Sequence, residues 1–144
     1  KNTLIQLFDR DLTSLKKTIK EFKNHYSFWL TKGEISNSSG HLTAHLFGNL
    51  RSFIDNIIGK TNYIRDRHLE FNSPTVSIST LEKLIDIKAK EVEKALSRPA
   101  PSDIQENYPI EIFGNPMSTE YFLIHLNGHL NYHIGQVNYL RRVL

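Results

Sequence analysis

The chain has 144 residues, 39% hydrophobic and 23% charged, with 7 Gly, 5 Pro and a formal net charge of +3, which is the make-up of one globular domain spanning 1–144 rather than of a fibrous or disordered polymer. It contains no cysteine, which excludes disulfides, thiolate metal ligands and a protein thiol nucleophile. No apolar run approaches the ~20 residues that cross a bilayer, and the N-terminal stretch lacks the short apolar core of a signal peptide, so a cytoplasmic protein with no membrane partner is expected.

Leu4, Phe8, Leu12, Leu15, Ile19 and Phe22 recur at steps of three and four and predict a first helix from Asn2 to Lys23. Part of the positive excess lies in Lys16, Lys17, Lys20 and Lys23 on that helix. No aromatic interleaving or arginine cluster accompanies them, so they read as a solvated face and not as a nucleic-acid footprint. The segment Asn24 to Ser39 holds Trp29, Gly33 and the run Ser36, Asn37, Ser38, Ser39, which offers several N-caps for the next helix.

A second helix is expected from His41 to Ile58, with Leu42, Leu46, Leu50, Phe53, Ile54 and Ile57 on its apolar side and Gly59 as C-cap. The stretch to Ser77 carries Arg65, Asp66, Arg67, His68, Glu70 and Pro74 without helical periodicity and reads as a long crossover loop. Ser79 and Glu82 form a capping-box pattern ahead of Leu81, Leu84, Ile85, Ala89, Val92 and Leu96, which predicts a third helix over Thr80–Ser97, closed by Pro99 and Pro101.

Residues 99 to 117 contain four prolines, and Ile110, Ile112 and Phe113 form either a short strand or an irregular loop. Ser118 or Thr119 caps a last helix running through Tyr121, Leu126, Leu130, Val137 and Leu140 to Arg141 and Arg142, whose cations suit the C-terminal dipole. Four amphipathic helices predict an all-α four-helix bundle. The connections at 60–78 and 99–117 exceed the length usual in bundles, and their aromatic and charged content points to loops that cover a site.

The chemistry-bearing residues are the histidines. Five of the seven fall as His41/His45 and His125/His129/His133, all four apart, a spacing that stacks side chains on one helical face about 6 Å apart, within the reach of one metal ion. All three of the last helix cannot share one ion, because His125 and His133 are separated by about 12 Å of rise and a turn of roughly 80°. One adjacent pair with a third ligand from the second helix would leave coordination positions open, as in catalytic sites. Ordinary packing is the alternative for each histidine taken alone, and the isolated His25 and His68 keep that reading.

His129-Leu-Asn-Tyr-His133-Ile-Gly135-Gln136 resembles the H-x-x-x-H-x-G-Q signature of the DinB-like, YfiT-like superfamily. His45-Leu-Phe-Gly-Asn49 is similar to the H-L-x-G-N segment of a functionally uncharacterised branch, and Arg65-Asp-Arg67-His-Leu-Glu70-Phe71 to its R-x-R-x-x-E-F loop. The resemblance implies a metal held by His45, His129 and His133 with His41 and His125 outside the coordination shell. It also implies up-down-down-up connectivity and a homodimer. The family metal varies among nickel, zinc, iron and manganese.

Three neutral imidazoles leave the full charge on a divalent ion, which then acts as a Lewis acid on an oxygen ligand or lowers the pKa of bound water from 15.7 to roughly 7. Imidazole ligands favour zinc and nickel over calcium or magnesium. The helix lacks the glutamate of H-E-x-x-H, which disfavours peptide hydrolysis. The expected function is a metal-dependent enzyme acting on a small molecule, either a transferase or isomerase using a low-molecular-weight thiol cosubstrate, as in related members of the superfamily, or a hydrolase. Gln136 and Asn49, one turn beyond His133 and His45, are the candidate catalytic residues, with Tyr132 and Glu70 behind them. The alternative class is a non-catalytic metal-binding or dimerisation module, in which His41 or His125 would supply a fourth ligand.

Overall fold

The structure is a computed structural model that describes residues 1–144, apart from the side chain of Pro101. It is all-helical, and among the described residues there is no strand. The helices are α1 (Asn2–Lys20), α2 (His25–Phe28), α3 (Ser39–Leu50), α4 (Arg67–Asn72), α5 (Ile78–Ser97) and α6 (Thr119–Val143). A π-helical turn, Arg51–Asn56, continues α3, and a 3₁₀ turn spans Pro101–Gln105.

The apolar periodicity that predicts the long helices is the surface that packs. Phe8, Leu12, Leu15, Leu46, Leu50, Ile85, Leu126 and Leu130 are all buried. Helix α1 packs on α5 and α6, α3 on α6 and α4, and the π-helical turn on α5. Among the described residues no helix is long and apolar enough to cross a membrane.

Side-chain caps set the helix starts. Ser38 Oγ accepts from the His41 N–H at 3.0 Å, so α3 begins at Ser39, two residues before the expected His41. Ser77, not Ser79, caps α5 by accepting from the Thr80 N–H at 3.1 Å, which moves its start to Ile78. Of the two candidate caps of α6 it is Ser118 that accepts, from the Tyr121 N–H.

Two short helices replace expected loop. Asn24 Oδ1 accepts from the Ser27 N–H at 2.8 Å and nucleates α2, so α1 stops at Lys20 rather than Lys23. Phe22 stays buried outside the helix, edge-on to Phe28. The crossover after α3 is not wholly loop either, because Asp66 accepts from the Leu69 N–H and starts α4. Six residues leave no room for an apolar period to show.

The end of α3 also differs from expectation. The left-handed residue is Lys60, at φ 60°, and not Gly59; Gly59 is needed because a Cβ there would run into the Asp55 carbonyl oxygen. At the π-helical turn the Tyr108 hydroxyl donates to the Phe53 carbonyl at 2.6 Å, a side chain inserted beside the helical ladder. Residues 110–113 form no strand; the one pairing nearby is an isolated bridge between Asn107 and Ser118.

Candidate metal centre

His45 projects from the middle of α3 and is buried, while His129 and His133 lie one turn apart on α6 and are half-buried. The packing of α3 on α6 brings them together. Nε2 of His129 lies 3.2 Å from Nε2 of His45 and 3.1 Å from Nε2 of His133, and one ligand atom from each ring lies within 4.8 Å of the others. Nitrogens bound at ~2.1 Å to one tetrahedral ion sit about 3.4 Å apart, so the spacing is close to that of a ligand set.

The far sides of two rings are held. His45 Nδ1 is 3.0 Å from Glu70 Oε1, a carboxylate that can only accept, so the ring proton sits on Nδ1 and the Nε2 lone pair points inward. Gln136 Oε1 does the same for His133 at 2.7 Å. Two lone pairs aimed at a third imidazole nitrogen repel unless a cation or proton lies between them. The donor set therefore fits a metal ion.

Glu70 is itself buried and held by a fork: Arg65 Nε donates to Oε2 at 2.9 Å and Arg65 Nη2 to Oε1 at 3.0 Å. It reaches α3 only because residue 48 is glycine, since a Cβ there would overlap the Glu70 carboxylate. The adjacent Phe71 stacks on the His45 ring at 4.9 Å. Helix α4 is thus the rear wall of the His45 ring.

Burial lowers the pKa of all three histidines. It does so for His45 against the opposing pull of Glu70, and for His133 against that of Gln136. His129 is pushed down to about 4, by burial first and then by His133 and His45. Neutral imidazoles at neutral pH are the form that binds a metal.

The other histidines stand elsewhere. His41 is tied between Ser38 Oγ at 2.9 Å and the Ser73 carbonyl at 3.2 Å. His125 packs against Phe113 and Phe122. His25 and His68 are exposed. None of these four belongs to the ligand group.

Of the two candidate catalytic residues, Gln136 lies behind the His133 ring, where it orients that ring, and its Nε2 meets the Tyr132 hydroxyl at 3.4 Å. Asn49 is buried, its Oδ1 has no hydrogen-bond partner, and it lines a cavity of about 190 Å³ with His45, His129, Arg65, Arg67 and His125. His129 Nδ1 is the other buried polar atom here without a partner. Glu70, a candidate behind Gln136 and Asn49 in the sequence, and Gly48, not a candidate there, are the two residues that support the His45 ring from behind. The signal for both is the pairing of the H-L-x-G-N segment with the R-x-R-x-x-E-F loop, whose meaning is a contact between them.

No protein-family model matches the chain, and no curated protein matches it.

Proposed function

We propose that His45, His129 and His133 bind one divalent transition-metal ion, zinc or nickel in first rank, and that the centre serves a cytoplasmic enzyme acting on a small molecule. The observation that carries this is the convergence of three Nε2 atoms whose rings are, in two cases, fixed from behind by Glu70 and Gln136. On this reading the four long helices are a four-helix bundle of up-down-down-up connectivity. The chain then falls with the DinB-like superfamily that its H-x-x-x-H-x-G-Q segment resembles.

An ion held there supplies a Lewis acid able to polarise an oxygen ligand or keep a cosubstrate thiol as thiolate. The protein's own residues do the rest. Glu70 and Gln136 hold His45 and His133 in the ligating tautomer, and Arg65 holds the Glu70 carboxylate in place through two hydrogen bonds. Phe53, Phe113, Phe122 and Leu126 make the cavity wall apolar, while Asn49, Arg65 and Arg67 face the same space and no carboxylate lines it. Such a lining suits a small anionic or thiol-bearing molecule, consistent with thiol-dependent transfer or isomerisation, with hydrolysis as the other reaction. A fourth protein ligand would favour a structural staple, but neither His41 nor His125 belongs to the group.

The test is metal content of untagged protein by elemental analysis after loading and desalting. One ion per chain is expected, with affinity at least ~10-fold lower for His45→Ala, His129→Ala and His133→Ala and unchanged for His25→Ala. Equal affinity across all four variants would overturn the assignment.

A further inference from the structure

A second cavity opens between the π-helical turn and the C-terminal half of α5. It holds about 640 Å³, against about 190 Å³ beside His45 and His129, and the two share no lining residue. Gly59 and the buried Ala95 line it where the two elements meet, and a Cβ on Gly59 would stand 3.0 Å from that of Ala95. Beyond Gly59 the chain turns through left-handed Lys60, and the Thr61 N–H donates to the Asp55 carbonyl at 3.3 Å. That turn fixes residues 61–64 as a wall of the cavity.

The lining is cationic. Arg51 comes from the π-helical turn, and Lys94 and Arg98 from α5 and its C-cap. The two acids of the lining, Asp55 and Glu91, are both bonded to Lys88, at 2.5 and 2.7 Å. Four cations therefore stand against two carboxylates, an excess of two positive charges. Among the described residues Arg51, Lys94 and Arg98 form no ion pair. The dipole of α5 accounts for cations in its last turn but not for Arg51, which a different element supplies. The Arg51 guanidinium lies over the Tyr63 ring, 4.4 Å from its centroid, a position that leaves its N–H edge for an oxyanion.

We propose that this cavity binds a small phosphorylated organic molecule, its phosphate between Arg51 and the Lys94/Arg98 pair and its carbon body against Tyr63 and Ile64. Lys94 and Arg98 are one turn apart on one face of α5, about 6 Å along the axis. Cations on two separate elements suit a tetrahedral phosphate, whose oxygens point in several directions, better than a planar carboxylate with two oxygens on one edge. The volume lies within the 300–1,000 Å³ range of small-molecule pockets, far more than a bare phosphate fills. Ile64 is 89% exposed, the most exposed large apolar side chain among the described residues, and Tyr63 beside it is half-buried. An organic body lying on them removes that surface from water. Binding here is independent of the histidine centre.

Phenyl phosphate is the probe, titrated into the full chain with and without zinc in about 150 mM NaCl and followed by amide NMR shifts. Saturable shifts of Gly59, Thr61 and Ala95 are expected, alike in both forms, with Kd below ~1 mM. Lys94→Gln/Arg98→Gln changes two exposed residues to helix-tolerant neutral ones and should weaken binding ~10-fold or more, the loss of at least one charge-assisted contact, with circular dichroism unchanged. Benzoate and inorganic phosphate should each bind at least ~5-fold more weakly. Benzoate as tight as phenyl phosphate would overturn the phosphate assignment, and inorganic phosphate as tight would overturn the organic body. An absence of saturable shifts at about 10 mM probe, shifts confined to the surroundings of His45 and His129, or unchanged affinity in the double variant would each overturn the site itself.

Discussion

Oε1 of Glu70 stands 3.0 Å from Nδ1 of His45, across 25 residues of chain. The carboxylate accepts a hydrogen bond from the ring N–H, fixes the tautomer and, being held by Arg65, cannot swing away. Glu70→Gln keeps the shape and removes the charge, and its amide can turn a donor toward Nδ1. Zinc affinity should fall ~10-fold to 100-fold, the usual effect of losing such a partner, measured by competition with a chromophoric chelator. Unchanged affinity would show that His45 is oriented by Phe71 stacking alone.

Gly48 is the partner of that arrangement on α3. A methyl group there overlaps the Glu70 carboxylate, so Gly48→Ala should lower zinc affinity in the same direction as Glu70→Gln although alanine favours the helix. Combining Gly48→Ala with Glu70→Ala should be markedly less than additive, because both act through one contact. Additive losses in the same chelator competition would separate the two residues.

Lys88 and Asp55 tie α5 to the π-helical turn. Both are buried, their charged atoms are 2.5 Å apart, and Asp55 Oδ1 has no further partner. Burial pushes the Asp55 carboxyl up to about 6 despite the lysine. Lys88→Met strands that carboxylate and should cost about 3–5 kcal/mol in urea unfolding, whereas Lys88→Met/Asp55→Leu should recover most of the loss. A double variant as weak as the single would locate the cost in packing and not in the uncompensated charge.

The long helices were legible because their apolar stripes repeat over four or more turns; the same residues, Phe8, Leu12, Leu46 and Leu130 among them, are the buried ones. Helix starts were less legible, since Ser77 and Ser79 are both chemically able to cap and only packing chooses between them. The i, i+4 spacing marked His125/His129 and His129/His133 alike as neighbours and left the pair open, and the approach of His45 depends on how α3 lies on α6, which no spacing encodes. Helix α4 and the role of Glu70 were hidden for the same reason. A six-residue helix has no period, and a carboxylate reads as a ligand support only once Gly48 has opened the space for it.

The three neutral histidines make the metal-free protein sensitive to acid, and His129 sets the sign. Its folded pKa of about 4 lies below the ordinary 6.5, so between these values the unfolded chain binds the extra proton and stability rises with pH. This contribution is present above pH 6.5 and is lost as pH falls from 6.5 toward 4; His45 and His133 shift in the same direction. Asp55 works oppositely, its raised pKa removing stability as pH rises from 3.8 to about 6, so the net slope is set by three groups against one. Urea unfolding of the metal-free protein should therefore show a lower midpoint at pH 5 than at pH 7. In His129→Gln the decline should be shallower, with one fewer imidazole to protonate. Added zinc binds the neutral rings and should carry the acid limb to lower pH. A midpoint that stays level between pH 7 and 5, in wild type and variant alike, would mean that the imidazoles titrate normally and are open to water.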